Sequence, residues 1–546
     1  MRLNRRQTMR VLALGGATAA GALRLSAQPA TAFRHGVASG DPDHASVVLW
    51  TRVTGDGAPV RVRWDLARDD SFSEVAASGE VMATAETDFT VKVVPGGLEP
   101  GRRYAYRFTA LGETSPVGRT MTLPEARVER FGIALVSCSN YPFGHFNPYD
   151  AIARDEAVDL VFHAGDYIYE YGADGWGGAV GESLGRLHEP AGEIVSLADY
   201  RMRHAQYKTD AGAQAMHAAH PFVACWDDHE VTNNPWVGGA QNHQPEDEGD
   251  YELRRLAALK AYYEWMPVRE PGPEGDRRAF WRTYVVGDLA TLITLETRHT
   301  GRGRQVTYPE ESAIQSREAR DRFMAEVIGD PSRRMLSEGM EEMLRDGLTA
   351  SASAGQPWRI IGNASPMARN LLPDFTQMGM PAEAFPEDAR SMLWLGRWNL
   401  PWYTDTWDGY PAAREAFYAL AREAGASDLL VLTGDSHSFW ANRLFDAEGR
   451  PMGVEVATAG VSSPSDLLDA GFDLEATARM DALLAEGMDE VRWVDSTSTG
   501  YVRLELGREE ARATYMGVDT VLSRDYRAAP LRTETIRRTQ DGIDFV

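Results

Sequence analysis

Two rhythms of apolar and polar residues divide the chain near Pro124. Before it, the stretches 47–52, 60–64, 90–93 and 104–108 are short runs rich in β-branched and aromatic residues, and the last two alternate with a period of two. Gly55, Gly57, Pro59, Gly96, Gly97 and Pro100 punctuate them. This spacing predicts a small antiparallel β-sandwich over residues 33–124. After Pro124, continuous apolar runs alternate with helical patterns. The runs 131–136, 160–163, 222–226, 289–295, 358–361 and 429–433 predict strands. The stretches 147–156, 196–219, 251–265, 310–328 and 411–424 predict helices. That alternation argues an α/β core over residues 125–546. Residues 236–249 and 369–392, rich in Gly, Pro, Asn and acids, are expected to be loops that shape a site or a lid.

Composition narrows the classes. The 546 residues are 43% hydrophobic and 25% charged, which excludes a disordered or fibrous chain. A net charge of −24 argues against a broad nucleic-acid-binding or anionic-membrane surface. An anionic substrate would need a local positive site, which bound metal supplies. Two cysteines exclude a disulfide scaffold and a zinc ribbon.

Residues 1–32 read as an export signal. Arg2, Arg5, Arg6 and Arg10 form a basic start without an acid, 11–23 is a short apolar run, and Ala30-Thr31-Ala32 fits a cleavage site before Phe33. Arg5-Arg6 resembles the core of a twin-arginine signal, so the twin-arginine export machinery is an expected partner and the periplasm or exterior the expected location. Removing the five Arg of the leader leaves 51 basic residues against 80 acids, a net charge of −29. No later apolar run is long enough to span a membrane.

The polar residues that follow the apolar runs carry the chemistry. The run at 160–163 leads into Gly165-Asp166-Tyr167-Ile168-Tyr169-Glu170, and the run at 429–433 into Gly434-Asp435-Ser436-His437. A strand ending in Gly-Asp puts a carboxylate at the carboxyl edge of a sheet, where α/β folds hold ligands. Asp166 has two oxygens with which to bridge hard cations. Tyr169, three residues on, can reach the same ion, and a phenolate ligand implies a strong Lewis acid such as ferric iron. The 222–226 run is followed by Asp227-Asp228-His229-Glu230, then Asn233-Asn234. Burying so much charge is costly without compensating cations. Three strand ends thus deliver Asp166, Asp228, His229, Asp435 and His437, which together predict a polynuclear metal site.

A fourth run, 131–136, ends in Ser137-Cys138. Cys138 is a thiolate ligand, a buried inert thiol, or half of a disulfide with Cys225. Arg298, after the 289–295 run, offers a planar fork to a phosphate oxygen or is a surface Arg. Asn363, after the 358–361 run, is a ligand or a loop residue. His145, His163, His204, His217 and His220 read as structural.

These segments, with 33–42, 261–267 and 407–411, resemble the PhoD-like alkaline phosphatase and phosphodiesterase family of the calcineurin-like metallophosphoesterases. Gly97 to Tyr106 resembles the corner of a fibronectin type III-like domain, where a tyrosine hydroxyl bonds back to backbone. The family resemblance implies an α/β fold, a four-layer β-sandwich flanked by helices, preceded by the small all-β domain. It implies an exported phosphoesterase with one ferric iron and two calcium ions, acting on phosphate monoesters and also on diesters by attack of a metal-bound hydroxide. Cys138, Asp166, Tyr169, Asp227, Asp228, Asn234, Asp435 and His437 would hold metal, with Asp228 the better aligned of its pair. His229 would stabilise the leaving oxygen or the transition state, and Arg298 would contact phosphate. The family's Leu-Asp-Thr-Arg-Gln reads here Leu295-Glu296-Thr297-Arg298-His299. A dedicated phosphodiesterase or phospholipase D-like enzyme is one rival reading. A non-catalytic cell-envelope binding protein is another.

Overall fold

The computed structural model describes residues 32–272, 275–540 and 542–546, so the expected export signal lies outside the described residues apart from Ala32. Two mixed sheets face each other. One has ten strands and the other seven. In the first, Arg130–Val136, Leu160–His163 and Phe222–Ala224 run parallel. In the second, Ala290–Thr294, Trp358–Gly362, Leu429–Thr433 and Pro451–Ala457 do the same.

The apolar runs are continuous because both faces of these strands are buried. Leu135, Phe162, Leu292, Ile360 and Leu430 fill the space between the sheets. Their neighbours turn outward under helices. Ala134, Val136 and Val161 meet Tyr149, Tyr200, Met216 and Leu259, while Ile293, Ile361 and Val431 meet Leu344, Leu348 and Phe417. The result is the expected helix–sheet–sheet–helix stack.

The all-β segment forms a sandwich, and its second layer is continuous with the ten-stranded sheet. Val60–Ala67, Val75–Ala83, Arg103–Ala110, Glu113–Thr114 and Gly118–Met121 make a five-stranded antiparallel sheet. Opposite it, Val37–Gly40, Val48–Arg52 and Thr90–Val93 form the edge of the ten-stranded sheet, joined where Gly40 pairs in parallel with Phe222. Val62, Leu66, Tyr106 and Phe108 fill the interface with Val37, Leu49 and Val91. The expected tyrosine corner is present: the Glu99 backbone N–H donates to the Tyr104 hydroxyl at 3.0 Å.

Two predicted helices are shorter than their patterns. Residues 196–219 form two helices, Leu197–Tyr207 and Ala211–Ala219. Asp210 breaks the run because its carboxylate caps the second helix at Gly212 and Ala213. Within 310–328 the α-helix is only Arg317–Phe323, capped by Ser316 and continued by a π-helical turn, Met324–Ile328. The helix Glu338–Ser353 was not predicted. Its buried stripe of Met340, Leu344 and Leu348 is narrow. Among the described residues no helix is long and apolar enough to cross a membrane.

Candidate metal centre

The parallel strands of both sheets deliver their carboxyl ends to one rim. Cys138, Asp166, Asn234, Asp435 and His437 all hold positive φ, between 51° and 64°. This left-handed conformation is costly for non-glycine residues, and such strain clusters at functional sites. Here it turns each side chain sharply at the end of its strand or loop. Two glycines permit the close approach. A Cβ on Gly165 would lie 2.5 Å from the backbone nitrogen of Asp227, and one on Gly434 would lie 2.1 Å from Ser137 Oγ. Backbone bonds from Cys138 N to Gly165 O (3.2 Å) and from Ser139 N to Asp166 O (3.0 Å) tie the first two loops together.

Two groups of donor atoms meet at Asp166. Ligand atoms of Cys138, Asp166 and His437 lie within 4.8 Å of one another, as do those of Asp166, Asp228 and His229. The Tyr169 hydroxyl joins the first group, 3.1 Å from Asp166 Oδ2 and 3.3 Å from His437 Nε2. Asp228 Oδ2 accepts the Asn234 backbone N–H at 2.8 Å. Both clusters open on a cavity of about 420 Å³, which Asp435 and Asn234 also line.

The expected pair Asp227 and Asp228 divides its work. Asp228 faces the cavity, and Asp227 turns to Arg298 Nε. Asp227 lies in neither cluster, yet its Oδ2 is buried without a partner, an oxygen still available to a cation. Arg298 is not a surface residue. It is 1% exposed and surrounded by carboxylates: Asp227, Asp405 at 3.2 Å and Asp435 at 3.8 Å. It is a buried countercharge to these acids, and its Nη2 has no hydrogen-bond partner. Both cysteines are free and buried, so the Cys138–Cys225 disulfide does not form. Asn363 donates to Ser365 O, while its Oδ1 is buried and unpartnered. His163, His204, His217 and His220 are buried away from the donor groups, as expected of structural histidines.

Several participants carried no role in the sequence reading. Glu170 Oε2 lies 2.6 Å from His229 Nδ1, and the second Glu170 oxygen accepts from Asn233 N and Asn242 Nδ2. Glu230 accepts the backbone N–H groups of Asp166 and Asp227, at 3.1 and 2.7 Å. Glu296, where the family has Asp, accepts the N–H groups of Arg298, His299 and Thr300 and so shapes the Arg298 loop. Glu170 and Glu230 were legible as acids beside the motifs. Ser463, which donates to the Tyr169 hydroxyl at 3.0 Å, and Trp176, stacked on His437 at 5.5 Å, come from segments without a motif.

The electrostatics call for cations. Burial raises Asp166 well above the ordinary carboxylate range, His229 pulls it down, and the charges of Asp228, Asp227 and Glu230 push it further up. Burial and then Asp166 raise the Cys138 thiol, and burial followed by Asp166 and Cys138 raises the Tyr169 phenol. Burial and Asp227 raise Asp435. In each of these groups desolvation and acidic neighbours disfavour the ionised form. Multivalent cations reverse that balance for all of them at once. The donor set, with its orphaned Asp227 and Asn363 oxygens, fits metal ions.

Carboxylates, a thiol, a phenol and imidazoles gathered at the rim of a two-sheet sandwich define a metallohydrolase of the metallophosphoesterase class. Residues 133–515 match the family model of the PhoD-like phosphatases, and residues 18–124 match the model of the PhoD-like phosphatase N-terminal domain. The chain therefore belongs to the PhoD-like phosphatase family, and it is an alkaline phosphatase D-like phosphoric ester hydrolase. It is 33% identical to alkaline phosphatase D of Bacillus subtilis (strain 168), over 98% of this chain and 84% of that protein. A solved structure of PhoD superposes with a TM-score of 0.76 at 30% identity, covering 95% of this chain and 93% of that one. Purple acid phosphatase PPD1 from yellow lupin shares the fold, with a TM-score of 0.53 at 12% identity over 92% of this chain and 74% of its own.

Proposed function

We propose that this phosphatase hydrolyses phosphate monoesters, with diesters as secondary substrates, outside the cytoplasm, using one ferric iron and two calcium ions. The observation that carries the reading is the shared Asp166 between a group with a thiol, a phenol and an imidazole and a group richer in carboxylate. Thiolate and phenolate suit iron, and carboxylate and amide oxygens suit calcium. Cys138, Tyr169, Asp166 and His437 would hold the iron, while Asp166, Asp228, Asn234, Asp435 and the free oxygen of Asp227 would serve calcium. Bound ions supply an activated water and neutralise charge on the phosphoryl oxygens. The Arg5-Arg6 leader supports export through the twin-arginine route.

The chain's own residues do the rest. Glu170 fixes the His229 ring through Nδ1, which leaves Nε2 on the side of Asp228, 3.9 Å from its Oδ1. Burial opposes charge on His229, but Asp228, Glu170 and Asp166 outweigh it and hold the ring protonated well above its ordinary range. A departing alkoxide needs a proton, and His229 Nε2 is placed to give one. Arg298 pairs with Asp227 and Asp405 and holds both carboxylates in position.

Hydrolysis of 4-nitrophenyl phosphate and bis(4-nitrophenyl) phosphate side by side, with elemental analysis of protein recovered from its native export route, tests the proposal. Faster monoester turnover with iron and calcium present supports it. Faster diester turnover supports the dedicated phosphodiesterase, for which an adjoining cavity offers room for a second ester arm. No turnover after iron and calcium addition would leave the binding-protein reading.

Glu170→Gln should lower kcat by about 10- to 100-fold with little change in KM, because the variant keeps the contact and loses the charge. Glu170 favours the protonated ring, so its loss lowers the His229 pKa. The alkaline limb of the kcat profile should therefore move to lower pH, which stopped assays across the alkaline range will read.

A further inference from the structure

Next to the metal-centre cavity lies a second one of about 650 Å³. The two share Asn234, Trp402, Tyr403 and Asp405, so the second opens directly onto the site. Their linings differ in charge. Among the described residues the first has no Lys or Arg, and beyond the candidate ligands it adds Asp405, Asp466 and Asp469. Among the described residues, the only acid lining the second is Asp405, which is already paired with Arg298 at 3.2 Å, and the only Lys or Arg lining it is Arg304.

Arg304 is exposed, and its guanidinium lies over the Trp236 ring, 5.2 Å from the centroid. Among the described residues it makes no ion pair and no side-chain hydrogen bond, in a chain with 80 acids to 56 Lys and Arg. Its backbone and the Trp236 hairpin are held by neighbouring bonds. Trp236 sits on the short hairpin Pro235–Trp236/Gly239–Ala240. Val237 N donates to Arg302 O at 3.1 Å, Arg302 Nη1 donates back to Pro235 O, and Arg333 Nη1 donates to Arg304 O at 3.0 Å. A run of amides joins this place to the metal centre. Asn234 Nδ2 and Gln305 Nε2 both donate to Gln241 Oε1, at 2.9 and 3.1 Å.

We propose that the second cavity is a subsite for the alcohol part of the substrate, with Arg304 binding a second oxyanion on that alcohol. The inference rests on the reading that the ester phosphorus sits at the strand ends. A second anion would meet Asp466 and Asp469 in the first cavity and is repelled there. In the second it meets an unpaired guanidinium, pre-set by stacking on Trp236 and geometrically suited to phosphate or carboxylate. The preferred substrates are phosphoric esters whose alcohol carries another phosphate or a similar oxyanion, of nucleoside or sugar origin.

The test uses the metal-loaded full-length enzyme and two matched pairs of substrates: adenosine 3′,5′-bisphosphate against adenosine 5′-monophosphate, and fructose 1,6-bisphosphate against fructose 6-phosphate. The wild type should favour the bisphosphate in at least one pair, and the pair that shows the preference identifies the nucleoside or the sugar source. Arg304→Ala should reduce that kcat/KM ratio about 10- to 100-fold, mainly through KM. Arg304→Lys should retain part of the preference, and Arg304→Glu should reverse it. An unchanged ratio in both pairs for Arg304→Ala, while 4-nitrophenyl phosphate is still turned over, overturns the subsite and leaves the phosphatase reading standing. A wild type that hydrolyses none of these compounds, 4-nitrophenyl phosphate included, removes that reading and the inference with it.

Discussion

Asp166→Ala should lower kcat/KM by at least about 10⁴-fold and strip the centre of metal, because one carboxylate serves both donor groups. The fold should survive. Burial and the charges of Asp228, Asp227 and Glu230, against the pull of His229, already disfavour an ionised Asp166 without metal, so a neutral alanine there leaves the fold intact. Thermal unfolding separates loss of metal from loss of fold. Metal bound only to the native state stabilises it by mass action, so added iron and calcium should raise the Tm of the wild type and leave that of Asp166→Ala unmoved. Turnover retained in the variant at unchanged metal content would sink the assignment of the centre.

The second large effect is on stability. Arg298→Met removes the countercharge of Asp227 and the partner of Asp405 at a place closed to water. Breaking a buried pair on one side costs about 3–5 kcal/mol, because the remaining charge is left uncompensated. The cost should depend on pH in a definite direction. Burial, against the pull of Arg298, already raises Asp227 to about 6, and loss of Arg298 raises it further. A carboxylate whose folded pKa exceeds its unfolded value holds its proton more tightly when folded, so stability falls as pH rises through the interval between the two. Denaturant unfolding of Arg298→Met should show a small deficit at pH 5 and the full one at pH 8. Arg298→Lys should fall between variant and wild type. Equal stability of Arg298→Met and wild type at pH 8 would refute the countercharge role.

The sequence made the candidate metal rim legible for a physical reason. A parallel strand buried on both faces is an unbroken apolar run, and the first polar residues after it must lie at the carboxyl edge. Asp166, Asp228, His229, Asp435 and His437 were found that way, and Cys138 by the same position. The fate of Arg298 was not legible, because its partners Asp227, Asp405 and Asp435 stand on separate loops that only the fold brings together. Glu170 and Glu230 were visible as acids, but the atoms they serve, His229 Nδ1 and the Asp166 N–H, depend on how two loops fold against each other. Strand pairing was hidden in the same way. Val37–Gly40 looks like any short β-rich run, and no local pattern says that its neighbour is Phe222.

That pairing has a consequence for how the protein comes into being. During synthesis, Val37–Gly40 is among the first described strands to leave the ribosome, yet its parallel partner emerges only some 180 residues later. Closing so long a loop before any contact rewards it is slow and keeps apolar strand edges open in the meantime. On that side Val37–Gly40 has no strand partner until Phe222–Ala224 has been made. A chain cut or stalled before that point has no partner for this edge, and protection from aggregation through that interval becomes part of what the cell must provide.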